Sequence, residues 1–223
     1  DYVQTRECTN KHCARRAAYL DAATDLLVND LVWMKVQWAP EVEGNYRSEL
    51  LAADPDVVIQ KMLFGMGSLS LGELAGERMK VALEANSYED EHDCFSDNTH
   101  NSHYYNGKGI RNVYTGTYER TDGSTLTGPS LSDLVQQQDP ELDSTLRAEL
   151  DASMDALGTM KQAAERDNNP MPFDVMIGPG NDQGRKIIND AITALVEQTE
   201  SIEMAAIELG IDSLEPDDAG HRF

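Results

Sequence analysis

Apolar residues recur at helical spacing in four long segments of the chain, and no segment alternates convincingly as a strand. The first predicted helix spans about 15–38 and ends before Pro40. The second begins with the cap-and-proline pair Asp54-Pro55 and continues towards residue 83. A kink or break is expected where four glycines interrupt this second helix: Gly65, Gly67, Gly72 and Gly76.

The third and fourth predicted helices occupy the C-terminal part of the chain. The third begins at Asp139-Pro140 and ends before 168–170, while the fourth follows 178–181 and is capped by Gly210. Each of the four segments carries one apolar stripe, and amphipathic helices of this length bury such stripes against one another. We therefore expect these stripes to form the core.

A polar, partly irregular insertion over 88–129 separates the second helix from the third. It contains a predicted helix over 97–114, with Asp97 as the expected N-cap, and a predicted turn at 121–124. The sequence therefore predicts an all-α fold, an up-and-down bundle of four long helices with this insertion. We treat 1–223 as one helical-bundle portion with three parts: first helix and connection (1–53), second helix plus insertion (54–138), third and fourth helices and tail (139–223).

Acidic residues outnumber basic ones by 40 to 18, which gives a formal net charge of −22. This balance argues strongly against nucleic-acid binding, because neutralising phosphates requires a basic surface. It argues equally against docking on anionic lipids, and it favours the attraction of cations. No apolar run approaches the roughly 20 residues of a membrane-spanning helix, so no transmembrane segment is predicted. The chain starts at Asp1, which we interpret as a processed chain or a fragment.

The three cysteines leave two interpretations open. Cys8 and Cys13 are separated by four residues, and Cys94 stands alone. A Cys8–Cys13 disulfide would be a small local crosslink in an oxidising compartment, whereas free thiols would indicate a cytosolic protein.

The densest group of chemically active side chains lies at 89–97, which holds five carboxylates and one imidazole. Such a group repels itself strongly unless a cation or an arginine is near. Glu89 and His92 have the i, i+3 spacing of half a di-iron site, but a complete site needs two copies. His100 and His103 share that spacing and form either a second half-site or a solvated pair in an exposed polar segment.

Glu77 and Arg78, on the second helix, are the other candidates. They either pair with each other, or Arg78 orients a metal-binding carboxylate of the acidic group. The chain contains no zinc-protease His-Glu-x-x-His motif, nucleophile elbow, phosphate loop or dinucleotide fingerprint.

Several short motifs, taken in order, make the chain resemble the imelysin family, in particular its iron-regulated protein A branch. The opening Cys-x4-Cys-Ala-Arg-Arg at 8–16 is similar to that branch. The other matching segments are Gly76-Glu77-Arg78-Met79, Glu89-Asp90-Glu91-His92, Phe95-Ser96-Asp97-Asn98-Thr99-His100, Asn112-Val113-Tyr114, Gly128-Pro129-Ser130-Leu131 and Met176-Ile177-Gly178.

The resemblance implies helical bundles in a bacterial cell-envelope protein, periplasmic or associated with the outer membrane. Some members were named metallopeptidases, described as insulin-cleaving, and others are associated with iron uptake. The family's hallmark, Gly-x-His-x-x-Glu, is missing from this chain and would lie just before Asp1. The expected partner is therefore an upstream segment of the same protein that carries this motif.

The resemblance also implies site residues. Glu91, His92 and Asp97 are expected to complete or support a site for a divalent or ferric ion, iron or zinc. The side chains expected to support those ligands are Glu77, Arg78 and Ser96. Two functions follow: metal binding in iron acquisition, or a zinc metallopeptidase whose active site needs the missing motif.

Overall fold

A computed structural model describes residues 11–211, 214–218 and 220, and the chain divides into two compact units, Asp1–Val58 and Ile59–Phe223. The first unit contains helix α1 (Cys13–Trp38) and the short helix α2 (Tyr46–Ala52), which the sequence did not predict. Asn45 joins them: its amide donates to the carbonyls of Val36 (2.9 Å) and Ala39 (2.8 Å), and its Oδ1 caps α2. The first predicted helix is confirmed.

The apolar stripe predicted to make α1 part of the core is exposed, so that part of the prediction is wrong. Its exposed members are Leu20, Leu27, Leu31, Met34 and Trp38. The buried hydrophobic residue of α1 is Ala17.

The second predicted helix is continuous but changes its geometry. Helix α3 (Pro55–Ser68) starts after Asp54, whose Oδ1 accepts the N–H of Asp56 at 3.0 Å. It passes directly into a π-helix (Leu69–Lys80) and then into α4 (Val81–Ala85). In place of the expected kink or break, the helix changes from the α-helical to the π-helical hydrogen-bonding pattern near the glycines. Such π-helical segments are frequent at functional sites.

The insertion contains more regular structure than the sequence predicted. After a 3₁₀ turn (Tyr88–Asp90) come α5 (Thr99–Thr115), the antiparallel strands β1 (Thr117–Glu119) and β2 (Thr125–Thr127), and α6 (Leu131–Gln138). In the hairpin Tyr118 pairs with Leu126, and the predicted turn at 121–124 lies in its loop. A capping box, in which Ser130 and Asp133 each accept the other's N–H, starts α6.

The C-terminal helices begin where the sequence placed them. Helix α7 (Pro140–Glu165) is capped by Asp139, helix α8 (Phe173–Met176) is short, and α9 (Asp182–Glu208) is capped by Asn181. At the other end of α9, Gly210 has a φ of 83°, the left-handed geometry expected of a glycine C-cap.

The core of the second unit is built from these helices. Helix α7 packs along α9, the π-helix packs on α9, and α5 packs on α7. The apolar stripes of α7 and α9 are largely buried, in two clusters that include Met79, Leu157 and Leu195 in one and Leu63, Leu146 and Ile202 in the other. The predicted all-α bundle class is confirmed, and the insertion contributes one of its packed helices. Across the described residues, no helix is long and apolar enough to cross a membrane.

One buried carboxylate ties three elements of this unit together. Asp143 is 2 % exposed and accepts hydrogen bonds from Tyr114 Oη (2.9 Å), Arg147 Nε (3.1 Å) and the hydroxyl of Ser132. Burial, the bond to Asp143 and its negative charge raise the pKa of Tyr114 well above its ordinary value. This network satisfies polar groups that would otherwise weaken the core.

Candidate functional site

The predicted site residues lie at the end of the second unit where α4, α8 and the start of α5 meet. Asn86 ends α4 in a left-handed conformation (φ 49°), and its amide donates to the carbonyls of Leu83 (2.8 Å) and Ile177 (2.9 Å). The second bond fixes the segment after α4 beside α8. The following residues, 88–98, then cross this end of the unit before α5 begins.

Glu91 is buried, with 6 % of its surface exposed, and a short hydrogen-bond relay holds it. The N–H of Asp93 donates to Thr99 Oγ1 at 3.0 Å, and that hydroxyl donates to Glu91 Oε1 at 2.6 Å. Because Thr99 already accepts from Asp93, its own proton is directed at the carboxylate. The relay orients Glu91 without a direct ion pair among the described residues.

Burial raises the pKa of the Glu91 carboxyl group, and the Thr99 hydrogen bond opposes this effect. The negative charges of Asp174, Asp97 and Asp93 raise this pKa further. Three other carboxylates thus act on Glu91, and two of them come from the same acidic segment, 89–97. The third, Asp174, belongs to α8.

His103 is completely buried on α5, one turn after Thr99. The ring of Phe173 contacts it edge-on (centroids 5.0 Å apart, 85°), and the exposed His92 stacks against it (6.4 Å, 26°). Neither ring nitrogen has a hydrogen-bond partner within the described residues. Burial, together with the positive charges of His92, Arg78 and His100, lowers the pKa of His103 to about 3. The ring is therefore neutral at physiological pH.

His100 lies one turn earlier on α5 and is also buried. Its Nε2 is 3.6 Å from Glu165 Oε1, and its Nδ1 has no hydrogen-bond partner in the described part of the chain. The alternative of a solvated histidine pair is therefore wrong. Both rings face the packed side of α5, because they share the stripe that buries the rest of that helix.

The remaining predicted residues lie nearer the surface. Asp97 is exposed at a left-handed φ of 52°, and the N-cap of α5 is Asn98, so the predicted cap is wrong by one residue. Ser96 is exposed, and its hydroxyl donates to the Asp93 carbonyl at 3.2 Å.

On the π-helix, Glu77 is exposed. Arg78 is half-buried and donates to Glu73 Oε2 at 3.1 Å. Arg78 also lies close enough to His103 for its positive charge to lower the pKa of that ring.

Among the described residues, the types of side chain at this site suit a metal ion, but too few of them are arranged together to bind one. Imidazole and carboxylate suit iron or zinc, yet no group of three or more His, Cys, Asp or Glu side chains within the described residues is arranged to hold a metal ion. Of the predicted ligands, Glu91 is buried whereas His92 and Asp97 are exposed. By themselves, the described residues of this chain do not complete a metal centre.

Only one of the two cysteines in the predicted disulfide lies within the described residues. Cys13 is disulfide-bonded, whereas Cys8 lies outside the described residues, so their pairing stays a prediction. Cys94 has a free thiol.

The sequence reasoning missed three features of the site. The hydrogen bond from Thr99 to Glu91 was not predicted, although Thr99 belongs to one of the matching motifs. The burial of His103 was not predicted either, although the spacing of residues on α5 indicates it. Buried residues on α5 recur at 100, 103, 107, 110 and 114, a spacing of three and four that marks a packed helix face. Phe173 and Asp174 are about 70 residues further along the chain, and no local pattern places them here.

A comparison with protein families gives one match over most of the chain. The model of peptidase family M75, described as Imelysin, matches residues 1–202. No curated protein matches the chain significantly.

Proposed function

Because the chain belongs to the imelysin family, we propose that it forms one side of a metal-binding site in a bacterial cell-envelope protein that takes part in iron acquisition. The protein would be periplasmic or associated with the outer membrane. The remaining ligands would come from an upstream segment with the Gly-x-His-x-x-Glu motif, since the described residues do not complete a metal centre.

The convergence of carboxylates on Glu91 carries this proposal. A carboxylate whose pKa is raised by burial and, to a lesser extent, by three other carboxylates is stabilised when a cation approaches, because the cation attracts all four charges. The Thr99 relay occupies Oε1 of Glu91 and holds the group in one orientation. Glu91 therefore has the properties of a preorganised ligand for a positive ion.

Two histidines extend the same donor set. His92 follows Glu91 in the chain and is exposed, and its ring stacks on His103, whose two ring nitrogens have no partner in the described part of the chain. A neutral ring is the form that binds metal, and His103 is held neutral by its surroundings. Ferric iron and zinc both accept such mixed donors, so a titration has to compare the two ions.

The test is the affinity of the intact protein, including its upstream segment, for ferric ion and for zinc. We expect Glu91→Gln and Asp97→Asn each to weaken binding by about tenfold or more. The matched control is Asp90→Asn, because Asp90 is an exposed acid of the same segment that does not act on Glu91. Unchanged affinity in the Glu91 and Asp97 variants would refute the assignment.

A zinc metallopeptidase is the alternative function, and it needs a different set of groups at the site. It requires about three protein ligands, an open position for water and a general base. An intact protein that cleaves an unfolded substrate, loses this activity with a chelator and regains it with zinc would establish the peptidase instead. Binding of iron without such cleavage supports the acquisition function.

A further inference from the structure

The π-helix Leu69–Lys80 presents its core residues at a spacing that an α-helix does not provide. Its fully buried side chains recur every four to five positions: Ser70, Leu74, Ala75 and Met79. In an α-helix, positions 70, 74 and 78 share one face, so Arg78 would enter the core where Met79 now lies. The wide turn therefore accommodates one additional residue and keeps a charged side chain out of the core.

A buried contact with α9 fixes the start of the π-helix. The hydroxyl of Ser70 donates to the carbonyl of Leu195 at 2.9 Å, and its oxygen accepts from Gln198 Nε2 at 2.7 Å. The side chains of Ser70 and Gln198 are at most 1 % exposed. Turning the π-helix about its axis would separate Ser70 from both groups and leave polar atoms in the core without partners, so the contact resists such a turn.

A surface ion pair has the spacing of the same wide turn. Arg78 Nη2 lies 3.1 Å from Glu73 Oε2, five residues earlier. On an α-helix the neighbouring side chains are three or four residues apart, and residues five apart lie on different faces. With i→i+5 hydrogen bonds, as from the Val81 N–H to the Gly76 carbonyl, residues five apart come onto one side. The ion pair therefore favours the π-helical register over the α-helical one.

The register of the π-helix determines where the candidate site begins. Helix α4 continues the π-helix without a break. At the end of α4, Asn86 donates to the Ile177 carbonyl at 2.9 Å, and the segment 88–98 with Glu91 follows. Because a π-helix holds more residues in each turn, the same residues in an α-helix would span a greater length and would rotate α4.

We propose that the π-helix is a positioning element, held in its wide register by the contact of Ser70 with α9 and by the Glu73–Arg78 pair, and that this register sets the place of α4 and of segment 88–98. The register and the placement do not depend on the metal-binding function, whereas their effect on metal affinity rests on it. Removing one exposed residue, Glu77, would bring Met79 to the α-helical spacing of four from Leu74.

The first test deletes Glu77 from the full chain. We expect the shortened protein to fold, and its NMR couplings through the hydrogen bonds of the π-helix should change from i→i+5 to i→i+4. The signals of the Asn86 side-chain amide and of the amides in 88–98 should shift, because α4 then ends at a different place. Glu77→Gln keeps the length of the helix and should leave these signals and couplings as they are in the unaltered chain.

Deletion of Asp155 is the matched control for losing one residue. Asp155 is an exposed acid inside the regular α-helix α7. Its removal rotates the following part of an α-helical stripe away from the core. This deletion should therefore prevent folding, or lower the urea midpoint of unfolding far more than deletion of Glu77 does.

The second test removes both partners of the buried contact. In Ser70→Ala/Gln198→Leu the two polar groups are lost together, so the cost in global stability is small. We expect amide hydrogen exchange over 69–85 to accelerate by about tenfold or more relative to exchange in α7. Thr199→Val is the control, because the Thr199 hydroxyl donates to the same Leu195 carbonyl (2.8 Å) from within α9. It should leave this ratio unchanged.

The third test addresses the ion pair by exchanging its charges. Glu73→Arg and Arg78→Glu should each accelerate exchange over 69–85 by about twofold, and the two substitutions together should restore the original rate. In the intact protein, deletion of Glu77 should also weaken the binding of ferric ion or zinc by about tenfold, whereas Glu77→Gln should have a smaller effect.

The proposal is overturned if deletion of Glu77 is as damaging as deletion of Asp155, or if the signals of 88–98 stay in place in the shortened protein. It is also overturned if Ser70→Ala/Gln198→Leu accelerates exchange equally in α7 and in the π-helix. An unaltered intact protein that binds neither ion refutes the metal site instead, because the couplings, shifts and exchange rates are measured without metal.

Discussion

Replacing His103 with leucine is expected to remove a specific acid sensitivity of the fold. The folded protein lowers the pKa of this ring from 6.5 to about 3, mainly because the ring is buried. Between those two pH values the unfolded chain carries a proton here that the folded protein does not bind. Folding stability therefore falls as the pH falls from 6.5 towards 3, at about 1.4 kcal/mol per pH unit.

From pH 6.5 to pH 4.5 this effect amounts to roughly 2 to 3 kcal/mol, and His103→Leu should remove it. At pH 7.5 the variant should be as stable as the unaltered chain or more stable by about 1 to 3 kcal/mol, because two buried nitrogens without partners in the described chain are replaced by hydrocarbon.

The assay is urea unfolding followed by circular dichroism at several pH values between 4.5 and 7.5. The difference in unfolding free energy between His103→Leu and the unaltered chain should widen steadily below pH 6.5. His12→Asn is the control, because His12 is exposed and asparagine tolerates its left-handed conformation (φ 66°). A constant difference at every pH would refute the conclusion that the folded protein keeps His103 neutral.

Three further predictions concern stability and use the same unfolding assay. Asp143→Ala should cost about 2 to 4 kcal/mol, because it leaves the hydroxyls of Tyr114 and Ser132 without their acceptor and removes the ion pair with the exposed Arg147. Tyr114→Phe should cost about 1 kcal/mol, and equal costs would contradict the network. Gly184→Ala should destabilise the fold, since the added Cβ would lie 2.5 Å from the backbone of α8. Gly109→Ala should instead stabilise the fold by about 0.5 to 1 kcal/mol, because its Cβ meets no atom within 4 Å. A Gly184→Ala variant as stable as the unaltered chain would contradict the close packing of α9 on α8. Because folding raises the pKa of Glu91, this residue contributes stability that is present below pH 4.5 and lost as the pH rises. Glu91→Gln should therefore gain stability relative to the unaltered chain between pH 4.5 and pH 7.5. A difference in unfolding free energy that stays constant over this range would contradict the burial of Glu91.

The parts of the fold that the sequence predicted are those with local causes. Asp139 and Asn181 cap their helices through hydrogen bonds to the next few residues, and the stripes of α7 and α9 repeat along a single helix. The π-helix was missed because glycines indicate a weak point but not which hydrogen-bond pattern replaces the α-helix. The strands were missed because three residues, as in Thr117–Glu119, are too short to show alternation.

Only the part of the candidate site that lies in segment 89–97 could be predicted from the sequence. Glu91 and His92 were found because acidic and imidazole groups are crowded in the sequence, and the structure places both at the same end of the second unit. Phe173 reaches His103 through the packing of α8, which depends on contacts between segments far apart in the chain. The polar character of α5 suggested an exposed segment, although the spacing of its buried positions already indicated a packed face.

The most direct test of the account is a metal titration of the intact protein with ¹⁵N-labelled histidine, followed by the ring signals of His92 and His103. The account predicts that ferric ion or zinc shifts these signals in a saturable manner, and that Glu91→Gln weakens the response by about tenfold. Saturable metal binding that leaves both ring signals unchanged would contradict the claim that this end of the second unit forms part of the site.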